Sequence, residues 1–270
     1  MNEQTVTTDD GVTLRVRTDG AAASPPLLLV NSLGTDLTLW DPQVADWTTS
    51  HRVVRYDQRG HGASEVPDGP YTLERLGMDA LTVLDDLGIA RADVCGLSLG
   101  GLVALWVAAH APERVGRVVL ADTAARIGSE DAWRTRAATV REQGMAAVVD
   151  LVLERFFSAA YRARDEPGLA LVGDGLRRAD PEGYAASCDA LAVADLRGRA
   201  RDVAARCLVM VGTEDAATPP ADARALRDLV PGAAYAELEG AGHLANLERP
   251  DEFARLVADF LAPDQEHHDA

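Results

Sequence analysis

The chain has 270 residues, of which 47% are hydrophobic, and its 43 acidic residues outnumber its 26 basic ones to give a net charge of -17. A chain of this length and composition can bury a large α/β core, whereas so strong an acidic excess argues against nucleic acid or an anionic membrane surface as a partner. The three cysteines, Cys95, Cys188 and Cys207, are widely spaced without a C-x-x-C or Cys/His cluster, which argues against a disulfide framework and a zinc site.

The first elements predicted along the chain are those of an antiparallel hairpin. Residues 5–8 and 12–17 alternate polar and apolar side chains around the turn Asp9-Asp10-Gly11. The N-terminus lacks the basic and apolar regions of a signal peptide, and no apolar stretch approaches the ~18 residues that a membrane helix needs. We therefore expect a cytoplasmic protein.

Short, mostly continuous apolar runs follow the hairpin and alternate with helical patterns. Strands are predicted at residues 27–30, 52–56, 92–95, 117–120, 207–211 and 234–238. Helices are predicted at residues 73–87, 100–109, 221–229 and 251–261. This alternation is typical of parallel strands buried between helices. The prediction is an α/β fold with a mostly parallel eight-stranded sheet and helices on both faces.

The stretch from residue 122 to residue 195 interrupts the alternation. It contains helical patterns at 132–141, 145–157 and 181–191 but no strand-like run, so we predict a helical lid inserted after the sixth strand. The core would then comprise residues 1–121 and 196–262. Residues 263–270 form a polar tail, to which His267 and His268 belong rather than to a site.

A candidate nucleophile lies between the third parallel strand of this series and the helix after it. Gly96-Leu97-Ser98-Leu99-Gly100 is a Gly-x-Ser-x-Gly pattern in the strand, turn and helix context of a nucleophile elbow. In such a turn the glycines remove side chains that would collide with the neighbouring strand and helix. The serine oxygen then projects above the sheet, so Ser98 is the predicted nucleophile, with a plain helix cap as the alternative.

A base and an acid follow Ser98 in the order that this architecture requires. Asp215 comes directly after the strand at 207–211, and His243 lies on a glycine-rich loop before the last helix. His51, His61 and His110 each have an ordinary structural explanation, which leaves His243 as the predicted base. For the acid, Asp215 is preferred over Glu214, whose side chain should point elsewhere, and over Asp122 after the sixth strand.

Two backbone groups are expected to stabilise an oxyanion. The N–H of Leu99 lies at the start of the helix that follows Ser98, and the N–H of Leu33 lies on the loop after the strand at 27–30. Asn31 and Ser32 precede Leu33 and could hold that loop by hydrogen bonds. The segment "RYDQRGHGASE" has Arg, Asp and two glycines at another strand end, and we interpret it as a structural turn with a charge pair.

The motifs together resemble the α/β-hydrolase fold and, within it, the 3-oxoadipate enol-lactonase family. The specific segments are "NSLGTDLTLWDPQV", "RYDQRGHGASE", "VCGLSLGG", "DTAARIGSEDAW", "DPEGYAASCDAL" and "ADLR", and the similarity extends over residues 13–260. The resemblance implies a serine hydrolase that converts 3-oxoadipate enol-lactone and water into 3-oxoadipate, in the β-ketoadipate pathway of aromatic catabolism. It implies an acyl-enzyme, no metal and no organic cofactor.

The implied substrate is a small anionic lactone, so a strongly acidic protein needs local positive charge to bind it. Arg126 and Arg134 flank the start of the predicted lid and could hold the carboxylate, with surface salt bridges as the alternative. Trp40 and Trp133 could form apolar pocket walls, with ordinary core packing as the alternative.

Two other functions are compatible with the same residues. The chain could be another small-molecule ester or lactone hydrolase or a cofactor-free perhydrolase, because one triad serves all of them. It could also be a ligand-binding receptor that keeps the hydrolase fold without turnover. The complete set of Ser98, Asp215 and His243 favours an enzyme.

Overall fold

A computed structural model describes residues 2–164 and 166–263 of the chain. The predicted tail at 263–270, with His267 and His268, therefore lies outside the described residues except for Pro263. Within these ranges the strands are β1 (Asn2–Thr7), β2 (Thr13–Asp19), β3 (Pro26–Val30), β4 (Arg52–Tyr56), β5 (Ala92–Leu97), β6 (Val115–Ala121), β7 (Arg206–Gly212) and β8 (Ala234–Leu238).

The helices alternate with the strands after the opening hairpin. Within the described ranges they are α1 (Asp41–Trp47), α2 (Leu73–Asp86), α3 (Leu99–His110), α4 (Glu130–Gln143), α5 (Val149–Phe156), α6 (Ala159–Ala163), α7 (Pro167–Arg178), α8 (Pro181–Val193), α9 (Pro220–Leu229), α10 (Ala245–Glu248) and α11 (Pro250–Leu261). None of the helices in the described part of the chain has the length and apolar character that crossing a bilayer requires.

The strands form one sheet in the order β1-β2-β4-β3-β5-β6-β7-β8. β1 pairs with β2 and β2 with β4 in antiparallel fashion, whereas every pair from β4 to β8 is parallel. The central strands are apolar and almost entirely buried along their length, because helices cover both of their faces. The predicted α/β fold with a mostly parallel eight-stranded sheet is confirmed.

Close helix contacts support the sheet near the site. Helix α2 packs closely against α3 at Gly77, next to the indole of Trp106 on α3. Any larger residue at position 77 would place its Cβ against that ring. On α1, Trp47 donates its indole N–H to the carbonyl of Ala254 in α11, 3.1 Å away. The contact at Gly77 holds α3, which begins directly after the candidate nucleophile Ser98.

Helices α4 to α8 all lie between β6 and β7, in the stretch where the sequence predicts helices and no strand. Two of them, α6 and α7, were not among the predicted segments. Three glycines in α7, Gly168, Gly173 and Gly175, weaken its intrinsic helix propensity and hide the pattern. The helix is stabilised instead by burial of Val172 and Leu176.

The turn after β4 is held by buried charge pairs. The guanidinium of Arg59 donates to Asp79 at 2.8 Å and to Asp10 at 2.9 Å, and the side chains of Arg59 and Asp79 are 4% and 1% exposed. The carboxylate of Asp57 accepts the N–H groups of Leu37 and Ala63. The segment "RYDQRGHGASE" therefore joins the β4 turn to neighbouring loops and to α2, in agreement with its structural interpretation.

Replacing Arg59 by alanine should destabilise the fold, because it removes the shorter of the two arginine contacts of the buried Asp79 carboxylate and, within the described residues, leaves only Arg75, at 3.1 Å, as its cation. We expect the free energy of unfolding to fall by about 3 kcal/mol in urea denaturation, the lower end for a broken buried ion pair. Arg177→Ala is the matched control, since its ion pair with Asp174 is largely exposed and should change the free energy by less than about 1 kcal/mol. Equal effects of the two substitutions would contradict the structural role of Arg59.

Candidate active site

Ser98 occupies a strained turn between β5 and α3. Its backbone has φ 58° and ψ -116°, a left-handed conformation that is uncommon for residues other than glycine. Its N–H donates to the carbonyl of Ala121 at 3.0 Å, and Thr123 donates its hydroxyl to the Ser98 carbonyl at 2.8 Å. A Cβ at Gly96 would collide with the carbonyl of Gly100, and a Cβ at Gly100 would collide with the carbonyl of Val30, which explains both flanking glycines. Hydrogen bonds with Ala121 and Thr123, at the end of β6, thus hold the strained turn in place.

His243 and Asp215 meet at the ends of β7 and β8. His243 Nδ1 lies 2.8 Å from Asp215 Oδ2, and both residues are buried. Burial by itself raises the pKa of the Asp215 carboxyl. The nearby His243 and the hydrogen bonds from His243 and Thr218 have the larger combined effect, so the pKa is lowered. An ionised carboxylate only accepts hydrogen bonds, so Nδ1 must donate. The neutral ring therefore leaves Nε2 free to accept a proton.

The acid loop is itself rigidly held. Asp215 accepts hydrogen bonds from the N–H groups of Ala217 and Thr218, at 2.7 and 2.9 Å, and from the Thr218 hydroxyl at 2.8 Å. These donors orient the carboxylate before any substrate arrives. The imidazole is therefore directed by a group that has no freedom to turn away.

Ser98 and His243 line the same small cavity, whose volume is about 30 Å³. Leu33 contributes to its floor, and Trp133, Phe156 and other residues of the α4 to α8 segment cover it. A cavity needs roughly 10–15 Å³ to hold one water molecule, so this one has room for about two. The candidate nucleophile and base therefore face a narrow chamber.

The two predicted oxyanion donors lie next to this chamber. Leu33 lines it, and Leu99 is the first residue of α3, directly after Ser98. Within the described ranges neither N–H donates a hydrogen bond to another residue. The loop of Leu33 is held by Asn31, whose side-chain amide donates to the Tyr56 carbonyl at 2.8 Å. The carbonyl of Ser32 accepts hydrogen bonds from the backbone N–H and from the hydroxyl of Thr35.

The alternative acids do not contact His243 Nδ1. Asp122 is fully buried with φ 46°, and its Oδ1 accepts the N–H of Gly212 at 2.8 Å. Burial and the nearby Asp215 raise the pKa of the Asp122 carboxyl well above its usual value. Glu214 is exposed, consistent with the expectation that its side chain points elsewhere. The geometry thus favours Asp215 among the three candidates.

The arginines expected from the sequence lie away from the chamber. The guanidinium of Arg126 lies 3.6 Å from the carboxylate of Asp195. The guanidinium of Arg134 lies 2.8 Å from the carboxylate of Glu130, one helical turn earlier on the same face of α4. Neither lines the cavity that contains Ser98. Arg126 and Arg134 therefore form surface salt bridges, which was the alternative to binding the substrate carboxylate.

Two other arginines line the chamber instead. Arg136 on α4 and Arg155 on α5 are half-buried, and within the described residues neither forms an ion pair with a carboxylate. Arg136 lies over the indole of Trp133, with its guanidinium carbon 4.9 Å from the ring centroid. Arg155 donates to the Ala217 carbonyl at 3.4 Å. Helical spacing could have revealed Arg136, because it lies three residues after the predicted pocket wall Trp133.

The two predicted tryptophans have different positions. Trp133 lines the chamber and donates its indole N–H to the Ile127 carbonyl at 2.6 Å. Trp40 is fully buried against Trp47 and Phe253, and its indole N–H donates to Asn31 at 2.9 Å. Trp40 is therefore part of the core beneath the Leu33 loop and not a pocket wall.

A wider cavity of about 280 Å³ lies between α7 and the loops after β3 and β4. Arg15, His61 and Arg178 are among its lining residues, but Ser98 and His243 are not. Because it lacks a nucleophile and a base in contact, we assign the chemistry to the smaller chamber. In the described part of the chain no three His, Cys, Asp or Glu side chains converge as metal ligands would.

Comparisons with known proteins show to which family the chain is similar. The model of the Alpha/beta hydrolase family matches residues 27–256. 3-Oxoadipate enol-lactonase 2 of Acinetobacter baylyi is 40% identical over 94% of this chain and 95% of its own length, and enol-lactonase 1 of the same organism is 36% identical over 95% and 96%. The crystal structure of the enol-lactonase from Burkholderia xenovorans LB400 superposes with a TM-score of 0.93, at 46% identity over 96% of this chain and 99% of that one.

Asp215→Asn and Asp122→Asn should separate the two buried acids. Asparagine at 215 can present its amide N–H₂ to the imidazole and favour the wrong tautomer, so we expect hydrolysis of p-nitrophenyl acetate to slow by roughly 10³- to 10⁴-fold. Asparagine at 122 keeps a carbonyl that can accept the Gly212 N–H, so its loss should be far smaller. A larger loss for Asp122→Asn than for Asp215→Asn would reverse the assignment of the acid.

Proposed function

Because the chain belongs to the alpha/beta hydrolase family, we propose that Ser98, His243 and Asp215 form a catalytic triad and that the protein hydrolyses the ring ester of 3-oxoadipate enol-lactone. The observation that carries this proposal is the buried hydrogen bond from His243 Nδ1 to Asp215, with Ser98 and His243 lining one chamber. The names of the similar proteins supply the substrate.

In the first half of the reaction the ring opens. His243 Nε2 removes the hydroxyl proton of Ser98 as the Oγ attacks the lactone carbonyl carbon. The N–H groups of Leu33 and Leu99 stabilise the negative charge on the carbonyl oxygen. When this intermediate collapses, the bond from the carbonyl carbon to the ring oxygen breaks. An enolate leaves, which takes the proton from the imidazolium and becomes an enol.

In the second half water releases the acyl group. His243 takes a proton from a water molecule, whose oxygen attacks the ester carbon bound to Ser98. The tetrahedral intermediate collapses, the proton returns to the Ser98 oxygen, and a carboxylic acid forms that ionises at neutral pH. The enol tautomerises to the ketone, which gives 3-oxoadipate. The protein groups named here account for each proton transfer, so the mechanism uses no cofactor.

The substrate anion is held by Arg136 and Arg155. Both line the chamber without a carboxylate partner among the described residues, although acidic residues are in large excess in this chain. Half-buried guanidinium groups that have no carboxylate partner attract a carboxylate and can bind it through two parallel hydrogen bonds. Arg136 is pre-oriented by its contact with Trp133, which reduces the entropy lost on binding.

The α4 to α8 segment acts as a lid, with residues 122–195 as its bounds. A chamber of about 30 Å³ is far smaller than a six-carbon lactone, so the segment must move to admit the substrate. Closure then surrounds the lactone with Trp133, Arg136 and Arg155 and excludes bulk water, which strengthens the electrostatic contacts.

Turnover of the enol-lactone against simple aryl esters tests the proposed function. We expect efficient opening of the lactone ring, followed as loss of its ultraviolet absorbance, and slower hydrolysis of p-nitrophenyl acetate. Ser98→Ala is the control and should abolish both reactions. Rapid ester hydrolysis or peracid formation without lactone opening would assign the triad to a different hydrolase or to a perhydrolase, and binding without turnover would indicate a receptor.

Arg136→Met and Arg155→Met should each raise KM for the lactone by roughly 10- to 100-fold, since each removes a charged hydrogen-bond donor worth about 1.5–3 kcal/mol. KM for the uncharged p-nitrophenyl acetate should change little. Arg126→Met is the matched control, because it removes a lid arginine that does not line the chamber. Equal changes for charged and uncharged substrates would contradict a role in anion binding.

A further inference from the structure

The carboxylate of Glu248 joins the lid to the turn that carries His243. Its Oε1 accepts the N–H of Ser158 at 2.8 Å and the N–H of Gly242 at 3.1 Å, and its Oε2 accepts the Ser158 hydroxyl at 2.6 Å. Ser158 follows α5 and precedes α6, whereas Gly242 immediately precedes His243. One half-buried side chain thus receives donors from two segments that are far apart in sequence.

The turn before His243 is enclosed on both sides. A Cβ at Gly242 would lie 2.6 Å from the backbone nitrogen of Ser158, so the lid backbone passes directly over this residue. On the opposite side a Cβ at Gly212, the last residue of β7, would collide with the carbonyls of Ala241 and Gly242. The turn is therefore held between the sheet and the α5–α6 junction, and glycine is required at both contact points.

Phe156 completes the connection to the imidazole. Its carbonyl accepts the N–H of Leu244 at 3.0 Å, and its ring centroid lies 5.1 Å from that of His243, with the planes tilted by 36°. Phe156 also lines the chamber. Any displacement of the α5–α6 junction therefore changes the packing against the imidazole.

We propose that Glu248 is a positioning residue, which orients His243 toward Ser98 by fastening the Phe156–Ser158 backbone to the His243 turn. The inference rests on the proposed triad but adds a residue outside it. Glu248 contacts neither substrate nor reacting atoms, so its effect reaches the chemistry through the orientation of the imidazole. A role of this kind changes kcat, because misplacement of the base affects the proton transfer more than the binding of substrate.

The test compares Glu248→Ala with Glu248→Gln. Alanine removes all three acceptor contacts, so we expect kcat for p-nitrophenyl acetate, and the rate of Ser98 labelling by a fluorophosphonate, to fall by about 10- to 100-fold while KM changes little. Glutamine keeps one carbonyl oxygen for the N–H groups of Ser158 and Gly242, so it should restore most of the rate. Glu182→Ala is the matched control, because it removes a lid carboxylate that pairs with Arg141 at 2.7 Å and should leave kcat unchanged.

Glu248→Asp keeps the charge but shortens the side chain by one methylene, and it provides the same test if the alanine variant fails to fold. A folded Glu248→Ala or Glu248→Asp protein with the wild-type kcat and labelling rate would overturn the positioning role while leaving the triad intact. Absence of Ser98 labelling in the wild-type protein would instead overturn the proposed function and this inference together. Failure of glutamine to restore the rate would also overturn the positioning role, because the acceptor contacts to Ser158 and Gly242 would then not account for it.

Discussion

The hydrogen bond between His243 Nδ1 and the ionised Asp215 is the contact on which the rest of the site depends. It fixes the tautomer of the imidazole, so that the opposite nitrogen can act as a base, and it requires a carboxylate to stay charged while buried. Three donors from Ala217 and Thr218 stabilise that charge, and the ends of β7 and β8 bring the two loops together. The parallel sheet is the scaffold that makes this possible, because it presents successive loops at one edge.

The strained turn at Ser98 illustrates a second dependence of the site on the sheet. A left-handed serine is unfavourable by itself and persists because its N–H and carbonyl are bound to residues at the end of β6, Ala121 and Thr123. The two flanking glycines then allow β5, α3 and β3 to approach more closely than side chains would permit. The backbone conformation that directs the Ser98 hydroxyl toward the chamber thus depends on contacts with β3, β6 and α3, and not on the pentapeptide alone.

The sequence predicted the sheet and the three converging residues because both depend on local patterns. Buried strands have continuous apolar runs, and Ser98 and Asp215 each follow such a run within four residues. His243 follows the more polar run at 234–238, on a glycine-rich loop. The arginines that line the chamber were harder to predict, since the side of a helix that faces the chamber depends on long-range packing. Arg134 and Arg136 are two residues apart and point in nearly opposite directions, so a choice between them requires the orientation of α4. Trp40 was misplaced for a similar reason, because large aromatic side chains occur in pocket walls and in cores alike.

Asp122 has an electrostatic consequence for the binding of the proposed anionic substrate. Its carboxyl is fully buried near Asp215, and burial together with that neighbour shifts it toward the uncharged form. Were both carboxyls ionised, two negative charges would lie beneath the imidazole and repel an approaching carboxylate. Because the pKa of Asp122 is raised, the Asp122–Asp215 pair is shifted toward a single negative charge, which an imidazolium at His243 can balance. Asp122 can thus accept the N–H of Gly212 in β7 without adding a negative charge that would repel the proposed substrate anion.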